Sequence, residues 1–370
     1  MRAMHMAVYC PLKSPNHPVP SGDRLMARQL MRALELAGHR VTLASEMRGF
    51  IKTPEARAAL EAPALAERQR IARVWQEEGV PDAWFCYHPY YKAPDLLGPA
   101  LCRSFSLPYI TVEASYSPRR DADGWRAAQA ALVETLSDAA VNIAMTERDR
   151  VGLMGGAPLA RVARLLPFIE AEPFLSRPSQ PRPGRLVTVA MMRPGDKMDS
   201  YRLLAEALHL LLHRPWTLSV VGDGALRGEV EALFAPLGPG RVVWHGALDQ
   251  AGVAELLSTA ALYVWPGCGE AYGLAYLEAQ AAGVPVVAQA IAGVPEVVVD
   301  QRTGLLTPPG DVPRFAAAIG ALLGDEDQRQ AFAVEARRFV AEERDIAAAS
   351  ASLSEILTRF VSPRQRGSDA

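Results

Sequence analysis

Two glutamates, Glu270 and Glu278, stand eight residues apart in W-P-G-C-G-E-A-Y-G-L-A-Y-L-E-A-Q-A-A-G-V-P-V-V-A-Q-A-I-A-G-V-P-E, residues 265–296. The apolar run A-L-Y-V-W that leads into it reads as a buried strand. Pro266, Gly267 and Gly269 then make a turn, and a helix opens near Gly273. Without a side chain, Gly273 lets a ligand approach the helix N-terminus closely. Free N–H groups and the positive end of the helix dipole suit a phosphate there. A bound phosphate repels a nearby carboxylate. Glu278, in the first half of the helix, is therefore suited to accepting hydrogen bonds from a vicinal diol such as ribose. Glu270, in the loop, can reach what lies beyond the phosphates. Two glutamates at this spacing are common on solvated surfaces, so the context carries the weight. That context is a strand, a Gly-rich turn, a Gly-opened helix, the strand entry A-A-G-V-P-V-V, and then A-G-V-P-E-V-V and the turn D-Q-R-T-G.

These residues need a frame to hold them. Short apolar runs alternate with longer amphipathic stretches along nearly all 370 residues, the pattern of parallel α/β architecture. Strands are expected near 4–10, 40–44, 83–87, 108–112 and 139–144, and again near 185–190, 216–221, 241–245, 261–265, 284–288 and 304–307. Helices are expected over 22–37, 199–212, 225–235, 250–259, 273–282, 311–323, 326–342 and 345–361. In the first of these, Met26, Leu30, Ala33, Leu34 and Ala37 share a face opposite Arg24, Arg28, Arg32 and Glu35, and Gly38 follows as a stop. Between them, Pro167, Pro173, Pro178, Pro181 and Pro183 exclude helix and central strand, which marks a hinge between two domains. The expected lobes are residues 1–170 and 184–344, with the helix of 345–362 packing back on the first and a frayed tail after it. Two Rossmann-like lobes facing each other across a cleft place ligands beyond the carboxyl ends of their strands.

Here the sequence resembles a family. E-A-Y-G-L-A-Y-L-E-A-Q-A-A-G-V-P-V-V-A is similar to the donor-binding signature of glycosyltransferase family 4, retaining nucleotide-sugar transferases of GT-B fold. The likeness runs through A-G-V-P-E-V-V-V-D-Q-R-T-G-L-L-T-P-P-G-D, S-V-V-G-D-G at 219–224 and H-G-A-L at 245–248, covering most of residues 185–325. P-S-G-D-R at 20–24 and A-G-H-R-V-T-L at 37–43 match more loosely. The resemblance implies that Glu278 holds the ribose hydroxyls and Glu270 contacts the transferred sugar. Tyr272, Gly273 and Leu274 would line the sugar and diphosphate, with Gly222 also on the donor side. Arg193 and Lys197, in V-A-M-M-R-P-G-D-K, match the family's diphosphate-gripping pair at a spacing one residue shorter than its commonest pattern. Only four of the 39 basic residues are lysines, and Lys197 is the only one after Lys92. A lysine retained in so Arg-dominated a chain suits a compact charge on a phosphate. Two cations and a helix N-terminus can neutralise a leaving diphosphate, so no metal or other cofactor is expected.

In the first lobe the resemblance points to Gly22 against donor phosphates or acceptor, with Lys13 or Arg24 adding charge. Ser21 or Asp23 capping the next helix explains those two residues equally well. Many family members carry a histidine after the fourth strand, where this chain has Glu113. Glu113 then contacts a sugar hydroxyl, acts as a base, or marks a subgroup with another acceptor. His88, closing the preceding strand in Y-H-P-Y-Y, is placed at the cleft mouth beside Tyr87, Tyr90 and Tyr91, which form either a sugar platform or a cover for a strand end.

Composition narrows the alternatives. The formal net charge is -2, with +3 on residues 1–180 and -5 on residues 181–370, so neither half is a nucleic-acid surface by charge. No run of about 18 apolar residues occurs, and the N-terminus does not read as a secretory leader. A cytoplasmic protein is expected, with peripheral membrane contact left open. Cys10, Cys86, Cys102 and Cys268 contain no C-x-x-C pair and read as free thiols, the first two buried. The D-A-D at Asp121–Asp123 is read as helix-capping acids rather than a metal site. G-D-G-A-L-R-G at 222–228 has the wrong spacing for a dinucleotide fingerprint, which argues against a dehydrogenase. The reading is a retaining transferase moving a sugar from a nucleotide-diphosphate donor to a hydroxyl acceptor. A nucleotide-sugar epimerase, a phosphorylase and a non-catalytic sugar-nucleotide binder remain as alternatives.

Overall fold

The protein is described by a computed structural model over residues 3–361. The tail expected to fray lies outside the described residues from residue 362 on. The chain divides into two compact units, Met1–Leu166 with Ala347–Ala370, and Pro167–Ile346.

The first unit carries β1 (His5–Tyr9), β2 (Arg40–Ser45), β3 (Ala83–Tyr87), β4 (Tyr109–Val112), β5 (Val141–Ala144) and β6 (Val162–Arg164). They form one parallel sheet in the order β2-β1-β3-β4-β5-β6. Residues of β3, β4 and β5 are all buried, which is why these strands read as unbroken apolar runs. β6 escapes the pattern because it is a three-residue, half-buried edge strand ending in an arginine.

The second unit carries β7 (Arg185–Val189), β8 (Thr217–Val221), β9 (Val242–Gly246), β10 (Leu262–Val264), β11 (Val286–Gln289) and β12 (Gly304–Thr307). Its parallel sheet has the order β12-β11-β10-β7-β8-β9. The order reverses between β7 and β10 here, and between β1 and β3 in the first unit. In open α/β sheets a crevice forms at the carboxyl ends of such strand pairs.

The structure corrects four local expectations. The helix expected over 199–212 runs Asp196–His209, so Lys197 lies on its first turn. Gly195, at φ +82°, ends the Pro194 turn, and Asp196 and Asp199 then favour the helix N-terminus electrostatically. Pro173 sits inside the short helix Glu172–Leu175, at its opening, where a proline costs no hydrogen bond. The expected 326–342 helix is Glu326–Phe339 followed by a π-helical turn, Val340–Arg344. Asp121 and Asp123 do not cap a helix. They lie in the 3-10 segment Pro118–Asp123, where Asp123 pairs with Arg120 at 3.1 Å.

Candidate functional site

Arg193 and Lys197 follow β7, and Trp265 to Gly273 follow β10, so the sheet itself brings them to one reversal point. The loop after β10 is clasped to the first turn of the helix Asp196–His209. The Cys268 N–H donates to Ser200 Oγ at 2.9 Å. The Asp196 carboxylate packs where a side chain on residue 269 would stand, so Gly269 admits it. Lys197 Nζ and Glu270 Oε1 form an ion pair. The same oxygen accepts from Trp265 Nε1 at 3.1 Å, and Lys197 Nζ lies 5.5 Å from the Trp265 ring centroid. Trp265 is buried and packs edge-on against Tyr201, with centroids 4.9 Å apart.

Glu278 lies on the helix Leu274–Ala281, half-buried, and no described residue donates a hydrogen bond to it. Burial alone pushes its carboxyl up to about 7. The Tyr263 hydroxyl donates to Val189 O at 3.2 Å at the end of β7; burial chiefly disfavours its ionisation, and the nearby Glu270 and Glu278 carboxylates add to that. The two glutamates of the eight-residue spacing thus converge on the same strand ends. One is paired with a cation, and the other is an unpaired carboxylate.

Two glycines have internal reasons beside any ligand. Gly273 has φ +81°, and a Cβ there would stand 2.7 Å from the Tyr276 ring. Tyr276 is buried under the loop with its hydroxyl on Trp265 O at 3.1 Å. Gly222 closes β8 at φ +137°, where a Cβ would strike the Ala190 carbonyl, and its N–H donates to Gly246 O at 2.8 Å. Its glycine is required by two backbones meeting beside the site. Tyr272 and Leu274 are buried, and Arg193 is half-buried in the loop after β7.

In the first unit the candidates gather at the other reversal point. Ser21 caps the helix Gly22–Leu36 by accepting from Arg24 N at 3.2 Å. Asp23 turns elsewhere: its Oδ1 meets His88 Nδ1 at 3.1 Å. Gly22 opens that helix with open space around it. His88 and Glu113 directly follow β3 and β4, and each holds a left-handed backbone, φ +60° and +56°. Strain of this kind in non-glycine residues clusters at functional sites. Burial disfavours the His88 cation, but Glu113, Asp23 and Asp149 outweigh it and raise His88 to about 9. Burial raises the Glu113 carboxyl, opposed by His88 and by a Tyr87 hydrogen bond. Burial also opposes the Asp23 charge, yet the His88 hydrogen bond and charge hold its carboxyl below the usual range. Asp149 is locked from the next strand end, accepting from Thr146 Oγ1 at 2.6 Å.

The aromatics His88, Tyr90, Tyr91 and Trp125 form a chain of ring contacts 4.9–5.4 Å apart. Sequence reasoning missed Asp23 as a partner of His88, Trp265 as a donor to Glu270, and Thr146 with Asp149. Only T-E-R-D at 146–149, a capping pattern, carried a local signal.

No group of three or more His, Cys, Asp or Glu able to hold a metal occurs among the described residues. Among them no helix is long and apolar enough to cross a membrane. Cys10, Cys86 and Cys102 are buried free thiols, and Cys268 is half-buried.

Comparison with known proteins finds relatives for half of the chain and a shared fold for nearly all of it. The chain is 30% identical over 223 residues to a D-inositol 3-phosphate glycosyltransferase of Xylanimonas cellulosilytica, covering 55% of this chain and 53% of that relative's length. The chain thus spans about half of that curated relative. The fold is shared with sucrose-phosphate synthase from Thermosynechococcus elongatus (TM-score 0.75, 19% identity, 97% of this chain and 99% of that one). It is also shared with Anabaena HepE, solved in complex with UDP-glucose (TM-score 0.71, 18% identity, 96% of this chain and 100% of that one). These are GT-B structures, and the two six-stranded parallel sheets with flanking helices match them. Residues 183–325, which carry Arg193, Lys197, Gly222, Glu270 and Glu278, match the family model Glycosyl transferases group 1.

Proposed function

We propose that the chain is a retaining glycosyltransferase that moves a sugar from a nucleotide-diphosphate donor to a hydroxyl acceptor without a metal ion. The observation that carries this reading is the convergence of Lys197, Glu270 and Glu278 at the carboxyl ends of β7 and β10. Glu278 accepts both ribose hydroxyls. The diphosphate sits at the opening of the helix Leu274–Ala281, whose Gly273 cap leaves the first N–H groups without a side-chain partner. Lys197 and Arg193 neutralise the negative charge that grows on the leaving diphosphate. Glu270 receives hydroxyls of the sugar. UDP-glucose in the HepE structure supports a nucleotide-sugar donor.

The acceptor is recognised by the first unit through Gly22, His88 and Glu113. Its hydroxyl attacks the anomeric carbon on the face from which the diphosphate departs. His88, as a cation, donates hydrogen bonds to the acceptor. Glu113, adjoining it, accepts from the acceptor hydroxyl. No chromophoric cofactor takes part in this transfer, so the purified protein should be colourless.

The test is thermal shift with UDP, GDP, ADP and their sugars, followed by transfer assays with the donor that binds. A donor that binds the folded but not the unfolded protein raises the melting temperature by mass action. A raised melting temperature with one nucleotide series, and product of retained anomeric configuration by NMR, are expected. No shift with any of them, or product of inverted configuration, contradicts the reading.

A further inference from the structure

Lys197 is already neutralised before any ligand arrives. Its ammonium is paired with Glu270, in a pair whose side chains are 31% and 16% exposed. The two partners are held differently. Glu270 is fastened by a second bond, from the buried Trp265 indole, and its loop is fixed to the helix through Cys268 and Ser200. Among the described residues Lys197 has only the Glu270 carboxylate and the Trp265 ring, and it sits on a flexible four-carbon stem. If the pair opens, Lys197 is the partner that moves.

We infer that Glu270 is an internal counterion that Lys197 exchanges for the donor's diphosphate, and that this exchange uncovers the Glu270 carboxylate for the transferred sugar. The inference rests on the donor-site reading above and adds to it a coupling between phosphate and sugar recognition. A nucleoside diphosphate without a sugar must break the Lys197–Glu270 pair and leaves Glu270 without a new partner. A nucleotide-sugar breaks the same pair, but its hydroxyls then occupy the freed oxygen. The exchange therefore favours the intact donor over the spent nucleotide. It also makes the net contribution of Lys197 to diphosphate binding small, because one charge contact replaces another.

The experiment is calorimetry with whichever of UDP, GDP and ADP binds the wild type most tightly, on Glu270→Gln, Lys197→Met and the double variant. Glu270→Ala serves as a second probe of the carboxylate, and urea midpoints confirm that each variant folds. Glu270→Gln should bind the nucleoside diphosphate roughly three- to tenfold more tightly, the scale of one half-buried ion pair. Lys197→Met should change that affinity little, and the tightening should vanish when Glu270→Gln is placed in the Lys197→Met background. Unchanged or weaker binding by both Glu270 variants overturns the exchange while leaving the donor site standing. Equal tightening with and without Lys197 also overturns it, since the carboxylate then acts by general repulsion. If none of the three nucleotides binds the wild type, the donor-site reading fails and the exchange with it.

Discussion

Asp23 Oδ1 and His88 Nδ1 meet at 3.1 Å, joining the helix that follows β1 to the residue that follows β3. With Glu113 and Asp149 facing the same ring, His88 is raised from 6.5 to about 9 despite its burial. His88 should therefore titrate by NMR near pH 9, and Asp23→Asn should move that titration towards acid. The folded-state value lies above the unfolded one, so the charge stabilises the fold fully below about pH 6.5 and stops doing so as pH rises through about 9. The stability gap between wild type and His88→Gln, read from urea unfolding, should close across that window. A His88 titration near 6.5 would break the cluster.

If Glu278 holds the donor's ribose as proposed, it should give a pH dependence to donor binding. Its unpaired carboxyl ionises at about 7 rather than 4.5, because burial disfavours the charge. A diol needs the ionised form. Donor affinity should therefore rise between pH 6 and 8, by up to about tenfold per unit below the pKa, and Glu278→Gln should flatten the profile. In the ligand-free protein the sign is opposite. The folded state holds this proton at higher pH than the unfolded chain, so Glu278's contribution is most favourable below about 4.5 and declines as pH passes 7.

Gly273→Ala tests why a glycine opens the helix Leu274–Ala281. Its φ of +81° and the Tyr276 ring 2.7 Å from a new Cβ both oppose a side chain. The substitution should cost about 1–3 kcal/mol in urea unfolding of the ligand-free protein, before any effect on substrate. A neutral result would leave ligand approach as the only reason for this glycine.

Lys197→Ala should lower kcat by more than it weakens donor binding. In the proposed reaction its contact with the diphosphate would strengthen as charge develops on the leaving group. Steady-state kinetics that show a loss confined to KM would contradict this role.

The parts of this arrangement that were legible in the sequence are the local ones. The strand, Gly-rich turn and Gly-opened helix from Trp265 to Glu278 lie within one βα step, so residue types and spacing suffice. The start of the helix at Asp196 was hidden by Gly195, whose left-handed backbone ends the Pro194 turn earlier than the apolar periodicity suggests. The pairing of Asp23 with His88 spans 65 residues and depends on β1 lying beside β3, which only the sheet order reveals. Tyr276 beneath Gly267 and Gly273, and the Ala190 carbonyl against Gly222, are close approaches of packed backbone and side chain with no periodic signature. The Lys197–Glu270 pair is non-local as well. The resemblance puts its two residues in one site, but nothing in their local sequence pairs them with each other.

The most direct measurement is calorimetric titration of wild type and Glu278→Ala with the nucleotide-sugar that binds. Loss of the ribose hydrogen bonds to a carboxylate should weaken binding by roughly 1.5–3 kcal/mol, with the urea midpoint of the variant unchanged or raised. Identical affinity in the two proteins would remove Glu278 from the site and with it the placing of an activated sugar at the ends of β7 and β10.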